Sequence, residues 1–312
     1  MRILCATDLL SKTDAAIGRA GILSDQLGAD LTLLHVVVPG ESQMALEQML
    51  QHASYEMQSR VRPPLWRAEC SPSVAVHTGI AASIILDAAA RSEVRLLVLG
   101  PHRRRPLHDA LEGTIAEKAL AARSCPVLVV RNEARDPYRR VLLALDASDA
   151  SASAIRAAES LVLTPKMSAT VVHAHRPPYE GALYSADIGA ETIGRYAENW
   201  KRDANQAVRE LLNLESDDPS RYAIHIEQKP AAPGILQAIE HLSPDLLVMG
   251  TRGGGRLRRA LVGSVANRVL HGTDCDVLIV PEGAVGNARS KLEFGGRRSR
   301  REVEAGKLDA MN

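Results

Sequence analysis

Aromatic residues are scarce in this chain: 2 Trp, 6 Tyr and 1 Phe among 312 residues. That scarcity argues against the stacking platforms on which single-stranded nucleic acids bind, and it leaves the core to aliphatic side chains. Cysteine is scarce too. Cys5, Cys70, Cys125 and Cys275 show no CxxC spacing and are too few for a disulfide framework. They read as small buried side chains in a reducing compartment rather than as redox centres or metal ligands. No apolar run reaches the roughly 18 residues of a membrane span; the longest candidate, 31–38, is interrupted by Thr32 and His35. Met1 leads at once into Ile3-Leu4-Cys5-Ala6-Thr7-Asp8, without the charged region, apolar stretch and cleavage site of a secretory leader, so a cytoplasmic location is expected. An excess of either charge is missing as well. With 38 Lys+Arg against 37 Asp+Glu the formal charge is +1, which excludes a globally basic nucleic-acid binder and a disordered acidic chain.

What is present is a duplication. At roughly 150 residues per domain the length suggests two domains, and the sequence aligns with itself once. Arg2-Ile3-Leu4-Cys5-Ala6-Thr7-Asp8 matches Arg140-Val141-Leu142-Leu143-Ala144-Leu145-Asp146, and Leu33-Leu34-His35 matches Val171-Val172-His173, both 138 positions apart. Leu96-Leu97-Val98-Leu99-Gly100 matches Leu246-Leu247-Val248-Met249-Gly250, and Cys125-Pro126-Val127-Leu128 matches Cys275-Asp276-Val277-Leu278, both 150 apart, so the second copy holds 12 extra residues. Solenoid repeats have periods of about 20–50 residues, so this spacing duplicates a whole domain. The copies span 1–131 and 139–281; the polar stretch 132–138, with Pro137, reads as a linker, and the glycines and mixed charges of 282–312 as a mobile tail.

Within each copy short aliphatic runs alternate with longer amphipathic stretches, the pattern of β-α-β units in a parallel sheet covered on both faces. Strands are expected near 2–7, 31–38, 73–77, 95–100 and 126–131. Ala16, Ala20, Leu23 and Leu27 form one helical stripe, and Thr192 to about Leu214 reads as a long helix that takes up most of the insertion.

The glycines carry the most specific signal. Gly250 closes an apolar strand, Gly253 follows at three, and Gly263-Ser264 opens a helix after nine further residues, giving G-x2-G-x9-G-S. With glycine at about 7%, chance would produce this on the order of once in a hundred such chains. Glycines let backbone approach a ligand, and a helix N-terminus with a free hydroxyl favours an anion, so a polyphosphate suits the set. The bland alternative is a turn followed by a serine N-cap.

Taken with the repeated strands, these residues make the chain resemble a tandem member of the universal stress protein family. The resemblance implies two flavodoxin-like, Rossmann-like domains, each a five-stranded parallel sheet of order 3-2-1-4-5 with helices on both faces. It also implies ATP, or another adenine nucleotide with or without Mg2+, held in the second copy. By position the contacts would be Asp146, Ala174, Gly250, Gly253, Gly263 and Ser264, with the adjoining Arg252 and Val265. Asp146 ends a buried strand, where its carboxylate should face a ligand or a loop amide. The first copy departs from the pattern: its equivalents are Asp8, Val36, Gly100, Gly113 and Thr114, but Arg103 replaces the second glycine, and Thr114 heads a capping box with Glu117. Arg103 would either fill that site or reach a phosphate.

Other constellations are weaker. His173 and His175 share a strand face but lack a third ligand at useful spacing. The clusters Arg103-Arg104-Arg105 and Arg252 to Arg259 fit neutralisation of a nucleotide better than nucleic-acid binding. No Ser-His-Asp order, Walker lysine or HExxH motif stands out, so a non-catalytic stress-response module, at most a slow ATPase, is expected. An interaction scaffold with vestigial sites and an adenine-nucleotide hydrolase-like enzyme are the alternatives. By the same resemblance residues 127–130 should pair antiparallel with 277–280 inside one chain, with further homodimerisation open and neither membrane nor nucleic acid as a partner.

Overall fold

Parallel strands buried on both faces need aliphatic side chains throughout, and the runs at 96–99 and 246–249 supply them. A computed structural model describes residues 1–9, 15–40, 42–61, 71–101, 114–146, 148–164, 167–177, 189–251 and 263–284. The readings placed on Gly113, Arg103, Arg252, Gly253 and the tail beyond residue 284 lie outside the described residues.

The first half contributes β1 (Arg2–Ala6), β2 (Asp30–Val37), β3 (Ser73–Thr78), β4 (Val94–Leu99) and β5 (Val127–Val129). The second contributes β6 (Val141–Ala144), β7 (Ala169–Ala174), β8 (Tyr222–Glu227), β9 (Leu246–Gly250) and β10 (Asp276–Val280). All ten join one sheet in the order β3-β2-β1-β4-β5-β10-β9-β6-β7-β8. Described helices are α1 (Ala15–Leu27), α2 (Gln43–Arg60), α3 (Ala81–Ala89), α4 (Ile115–Ala122), α5 (Asp149–Leu161), α6 (Ala190–Glu215), α7 (Ala231–Leu242) and α8 (Ser264–Gly272). Helices α1, α2, α5 and α6 bury side chains in one apolar layer, and α3, α4, α7 and α8 in the other. Ala16, Ala20 and Leu23 of the α1 stripe are fully buried, while Leu27 packs at the layer's margin. Helix α6 runs for 26 residues against 18 in α2, which sits in the same place in the first half.

The halves meet strand to strand. β5 and β10 pair antiparallel, with Val127 opposite Ile279, Leu128 opposite Leu278 and Val129 opposite Val277. Leu128 and Leu278 are counterparts in the duplication, so a pseudo-twofold axis passes between equivalent residues. The pairing also covers what would otherwise be two apolar sheet edges. Both apolar layers continue across it without a break.

A buried ionic cluster fastens this junction. Asp276, wholly buried at the start of β10, accepts backbone N–H bonds from Arg131 (2.8 Å) and Asn132 (3.1 Å) on Oδ1. Its Oδ2 accepts the Tyr138 hydroxyl at 2.7 Å and faces Arg19 Nε of α1 at 3.7 Å. The Arg19 guanidinium lies 3.7 Å from the centre of the Tyr138 ring and donates to the Asp136 carbonyl at 2.8 Å. Burial first, and then the Asp276 charge, push the Tyr138 phenol well above its ordinary range, so it stays a donor. The segment 132–138 is therefore anchored, with Ala134 and Tyr138 buried.

Removing one partner of a buried pair strands the other charge. Asp276→Ala should cost about 3–5 kcal/mol in denaturant unfolding and open 132–138 to protease, whereas the double change Arg19→Met with Asp276→Leu should recover most of the loss. Equal stability of the single and double variants would contradict the assignment.

Candidate functional site

Each half has a histidine near the end of its second strand, and the two rings make the same bond. His35 Nδ1 lies 2.8 Å from the Thr7 carbonyl and His173 Nδ1 lies 2.8 Å from the Leu145 carbonyl. A carbonyl only accepts, so in both rings Nδ1 carries the proton. These bonds tie together the C-terminal ends of the first two strands of each half, beside the point where strand order reverses and open α/β sheets hold ligands.

In the second half Asp146 lies just beyond β6. Its Oδ1 accepts the hydroxyls of Ser148 and Ser151, the latter at 2.8 Å, and its own N–H donates to Ser151 Oγ at 2.8 Å. Ser148 Oγ is also the N-cap of α5, accepting the Ser151 N–H at 3.3 Å. The carboxylate is thus oriented by two hydroxyls of the following turn. Ala174 ends β7 beside it, half-buried.

Gly250, the last residue of β9, has a packing reason that its motif position conceals. A Cβ there would stand 2.7 Å from the Ala150 carbonyl oxygen and 2.7 Å from Ala150 Cβ. The close approach read for a ligand is made by the chain itself, and it brings the first turn of α5, with Ser148 and Ser151, against the end of β9. Gly234 acts likewise on α7, where a Cβ would meet Ala174 Cβ at 2.7 Å. At Gly100, the counterpart of Gly250, nothing described lies within 4 Å of such a Cβ.

Thr251 and Gly263, which flank the loop of the motif, are bonded to each other. Thr251 N–H donates to the Val280 carbonyl at 3.1 Å, and Gly263 N–H donates to the Thr251 carbonyl at 3.0 Å. Helix α8 therefore begins beside the end of β9. Its N-cap is Gly263, with no side-chain cap; Ser264 is the first helical residue and exposed, and Val265 follows half-buried. The serine hydroxyl is not consumed as a cap. In the same turn Asn267 Oδ1 is buried without a hydrogen-bond partner.

The corresponding helix start in the first half is closed. Thr114 Oγ1 accepts the Glu117 N–H at 3.1 Å, and Glu117 Oε2 accepts the Thr114 N–H at 2.7 Å. Glu117 Oε1 also lies 3.3 Å from His271 Nε2 at the far end of α8. Burial by itself would raise the Glu117 carboxyl, but its bonds from Thr114 and His271 outweigh this and hold it below the ordinary range. A carboxylate thus already accepts the N–H at this helix start. Asp8, exposed, and Val36, half-buried, still meet at the ends of β1 and β2.

The chain matches the model of the universal stress protein family twice, over residues 1–131 and 137–281. It belongs to that family, as a tandem member. A universal stress protein of Methanocaldococcus jannaschii is 28% identical over 162 residues, covering 49% of this chain and 86% of the relative. Universal stress protein A homolog 1 of Coxiella burnetii is 30% identical over 145 residues, covering 46% of this chain and 96% of its own. Among solved structures, a universal stress protein from Archaeoglobus fulgidus superposes with a TM-score of 0.64 at 18% identity, covering 90% of this chain and 96% of that one. A functionally unknown protein from Pseudomonas aeruginosa gives 0.61 at 19% identity, covering 91% and 93%. At these identities the structures speak for the fold, and both extend over the two halves.

Several neighbours of the site were not singled out from sequence. Ser148 and Ser151 stand at the hydroxyl positions of a helix start, a signal that was there to be read. Trp200 of α6 gave none, yet its ring stacks on His175 at 5.2 Å, and His175 in turn stacks on His173 at 5.9 Å. Burial, followed by the His173 charge, lowers the His175 pKa, which favours the neutral ring.

The two glycines should respond differently to a single methyl group. Gly250→Ala should lower unfolding stability by about 1–3 kcal/mol through overpacking against Ala150, while Gly100→Ala should stay within about 0.5 kcal/mol. Thermal unfolding of the two variants side by side checks this.

Proposed function

We propose that the second half binds an adenine nucleotide, ATP in the first instance, across the C-terminal ends of β6, β7 and β9. On this reading Asp146 and Ala174 meet the nucleoside, and Gly263, Ser264 and Val265, with Arg252 and Gly253 of the loop, meet the phosphates. One observation carries it: the start of α8 is left without a side-chain cap and with a free serine hydroxyl, where an anion is favoured. Mg2+ fits as a companion of the polyphosphate; among the described residues no group of three or more His, Cys, Asp or Glu is placed to hold a metal. The role is binding, with hydrolysis at most slow, in a stress-response module of the cytoplasm. The buried thiols of Cys5, Cys125 and Cys275 suit a reducing compartment, and no described helix is long and apolar enough to cross a membrane. The β5–β10 junction gives one chain the form of a dimer, so association with further copies would use other surfaces.

Titration calorimetry of the full chain should therefore find one ATP site, not two. Asp146→Ala should weaken it by about 1–3 kcal/mol, the range for losing a hydrogen bond to a charged group, without loss of fold by circular dichroism. Two equivalent sites, or unchanged affinity in the variant, would refute the assignment; no nucleotide at all would leave an interaction scaffold.

Charge at the helix start should matter as well. Asn267→Glu in the first turn of α8, at the counterpart of Glu117, should abolish measurable ATP binding by like-charge repulsion, as Glu117 is read to do in the first half. Retained affinity would show that phosphates do not sit there.

A further inference from the structure

Helix α8 is short, and neither of its ends is closed from within. Its nine residues, Ser264–Gly272, are fewer than the roughly 12–15 that an isolated helix needs in water, so it forms cooperatively and depends on what holds it from outside. Gly263 gives no side-chain cap at the start. At the far end the C-cap Thr273 is extended (φ −122°, ψ 151°) and sends no backbone N–H bond back to the helix. The carbonyls of the last turn therefore need donors from elsewhere. Helix α4, the counterpart in the first half, closes itself at both ends. It starts with the Thr114–Glu117 capping box and ends on Arg123, left-handed at φ 56°, whose N–H reaches the Ala119 and Leu120 carbonyls at 3.2 and 3.3 Å.

The donors for α8 come from the first half and the segment that follows it. The Arg131 guanidinium donates from Nη2 to the Leu270 carbonyl in the last turn of α8. Its own N–H is held at 2.8 Å by Asp276, which fixes where the side chain starts. Beside it Asn132 Nδ2 donates to the Asp274 carbonyl at 2.7 Å, and Glu117 faces His271 at 3.3 Å. A cation at a helix C-terminus also opposes the negative end of the helix dipole, the same dipole whose positive end favours a phosphate at the start. This support is not returned. Pro281 is the counterpart of Arg131 and carries no donor. The nearby pair Arg123–Glu282, at 3.1 Å, is exposed on both sides, and such surface pairs contribute little.

We infer that Arg131 of the first half is a positioning residue for the nucleotide site of the second: by holding the C-terminal end of α8 it keeps the first turn in the form that takes phosphates. Nucleotide binding and the docking of the halves are thereby linked. The inference rests on the reading of α8 as the phosphate helix. Because such coupling is reciprocal, a nucleotide at the start of α8 tightens the hold of its far end on the first half by the same factor. The second half carries the ligand, and the first half sets how firmly it is held.

Hydrogen exchange of the ligand-free full chain tests the coupling without nucleotide. The Asn267 N–H bonds the Gly263 carbonyl at 2.9 Å and so reports on the first turn. Arg131→Met should speed exchange over 267–270 about fivefold or more, and Arg131→Lys, which keeps a charged donor, should restore most of the protection. Calorimetry with ATP should show the same order: affinity about fivefold or more weaker in Arg131→Met, the low end of typical coupling, and close to wild type in Arg131→Lys. Tyr222→Phe removes the hydroxyl that bonds Glu159 at 2.9 Å elsewhere in the second half. It controls for general loss of stability and should leave ATP affinity unchanged. Unchanged exchange in Arg131→Met, ATP affinity that does not follow the exchange, or equal weakening by Tyr222→Phe would each overturn the inference. Should exchange respond as expected while the wild-type chain binds no ATP, the nucleotide reading falls and the support of α8 by Arg131 stands.

Discussion

The Asp276 carboxylate is the buried charge on which the junction of the two halves is fastened. It is fully buried, and it gathers a strand end, the segment between the halves and the first helix of the opposite half onto two oxygen atoms. A buried carboxylate is tolerated only when such partners are all in place, so the cluster selects one arrangement of the halves and penalises others. Neither end of the Arg19–Asp276 pair is repeated: Ala157 stands where the second copy would have the arginine, and Pro126 where the first would have the aspartate. The lock is one-sided on a junction that is otherwise close to twofold.

The same departure from symmetry runs through two helix starts. Thr114 and Ser264 are counterparts, and both stand at the start of a helix, but the cap falls on Thr114 itself in one half and on Gly263 in the other. That shift of one residue decides whether a hydroxyl is spent on its own helix. Glu117 and Asn267 are counterparts as well. The glutamate closes a capping box and meets His271 across the junction, whereas the position equivalent to His271 in the first copy is Ala121, which offers Asn267 nothing. One framework thus yields a helix start satisfied from within and another left wanting an external group.

Much of the fold was legible because the forces that build it are local. Strands buried on both faces appear as aliphatic runs such as 96–99, and the α1 stripe and the long α6 appear as helical periodicity. The glycine motif is legible in sequence, but that Gly250 also packs on the backbone of Ala150, a contact between segments 100 residues apart, is not. Asp276 was visible as an aspartate aligned with a proline, yet its meaning rests on Arg19 and Tyr138, which pattern and spacing do not connect to it. Trp200 lies on a helix face that periodicity describes only as amphipathic, and its stacking on His175 follows from how α6 settles over the sheet. What stayed hidden was in each case a contact between distant segments.

The pairing of Leu128 with Leu278 has a consequence for how such a chain can change. When two identical chains associate about a twofold axis, a residue on that axis faces itself, and any replacement occurs on both sides together. Here the two positions are written separately. A bulky replacement on one side can be answered by a small one on the other, and a glycine lost from the motif of one copy leaves that of the other intact. Linking the halves in one chain frees each from inheriting the other's substitutions, so divergence in one copy need not cost the other its function.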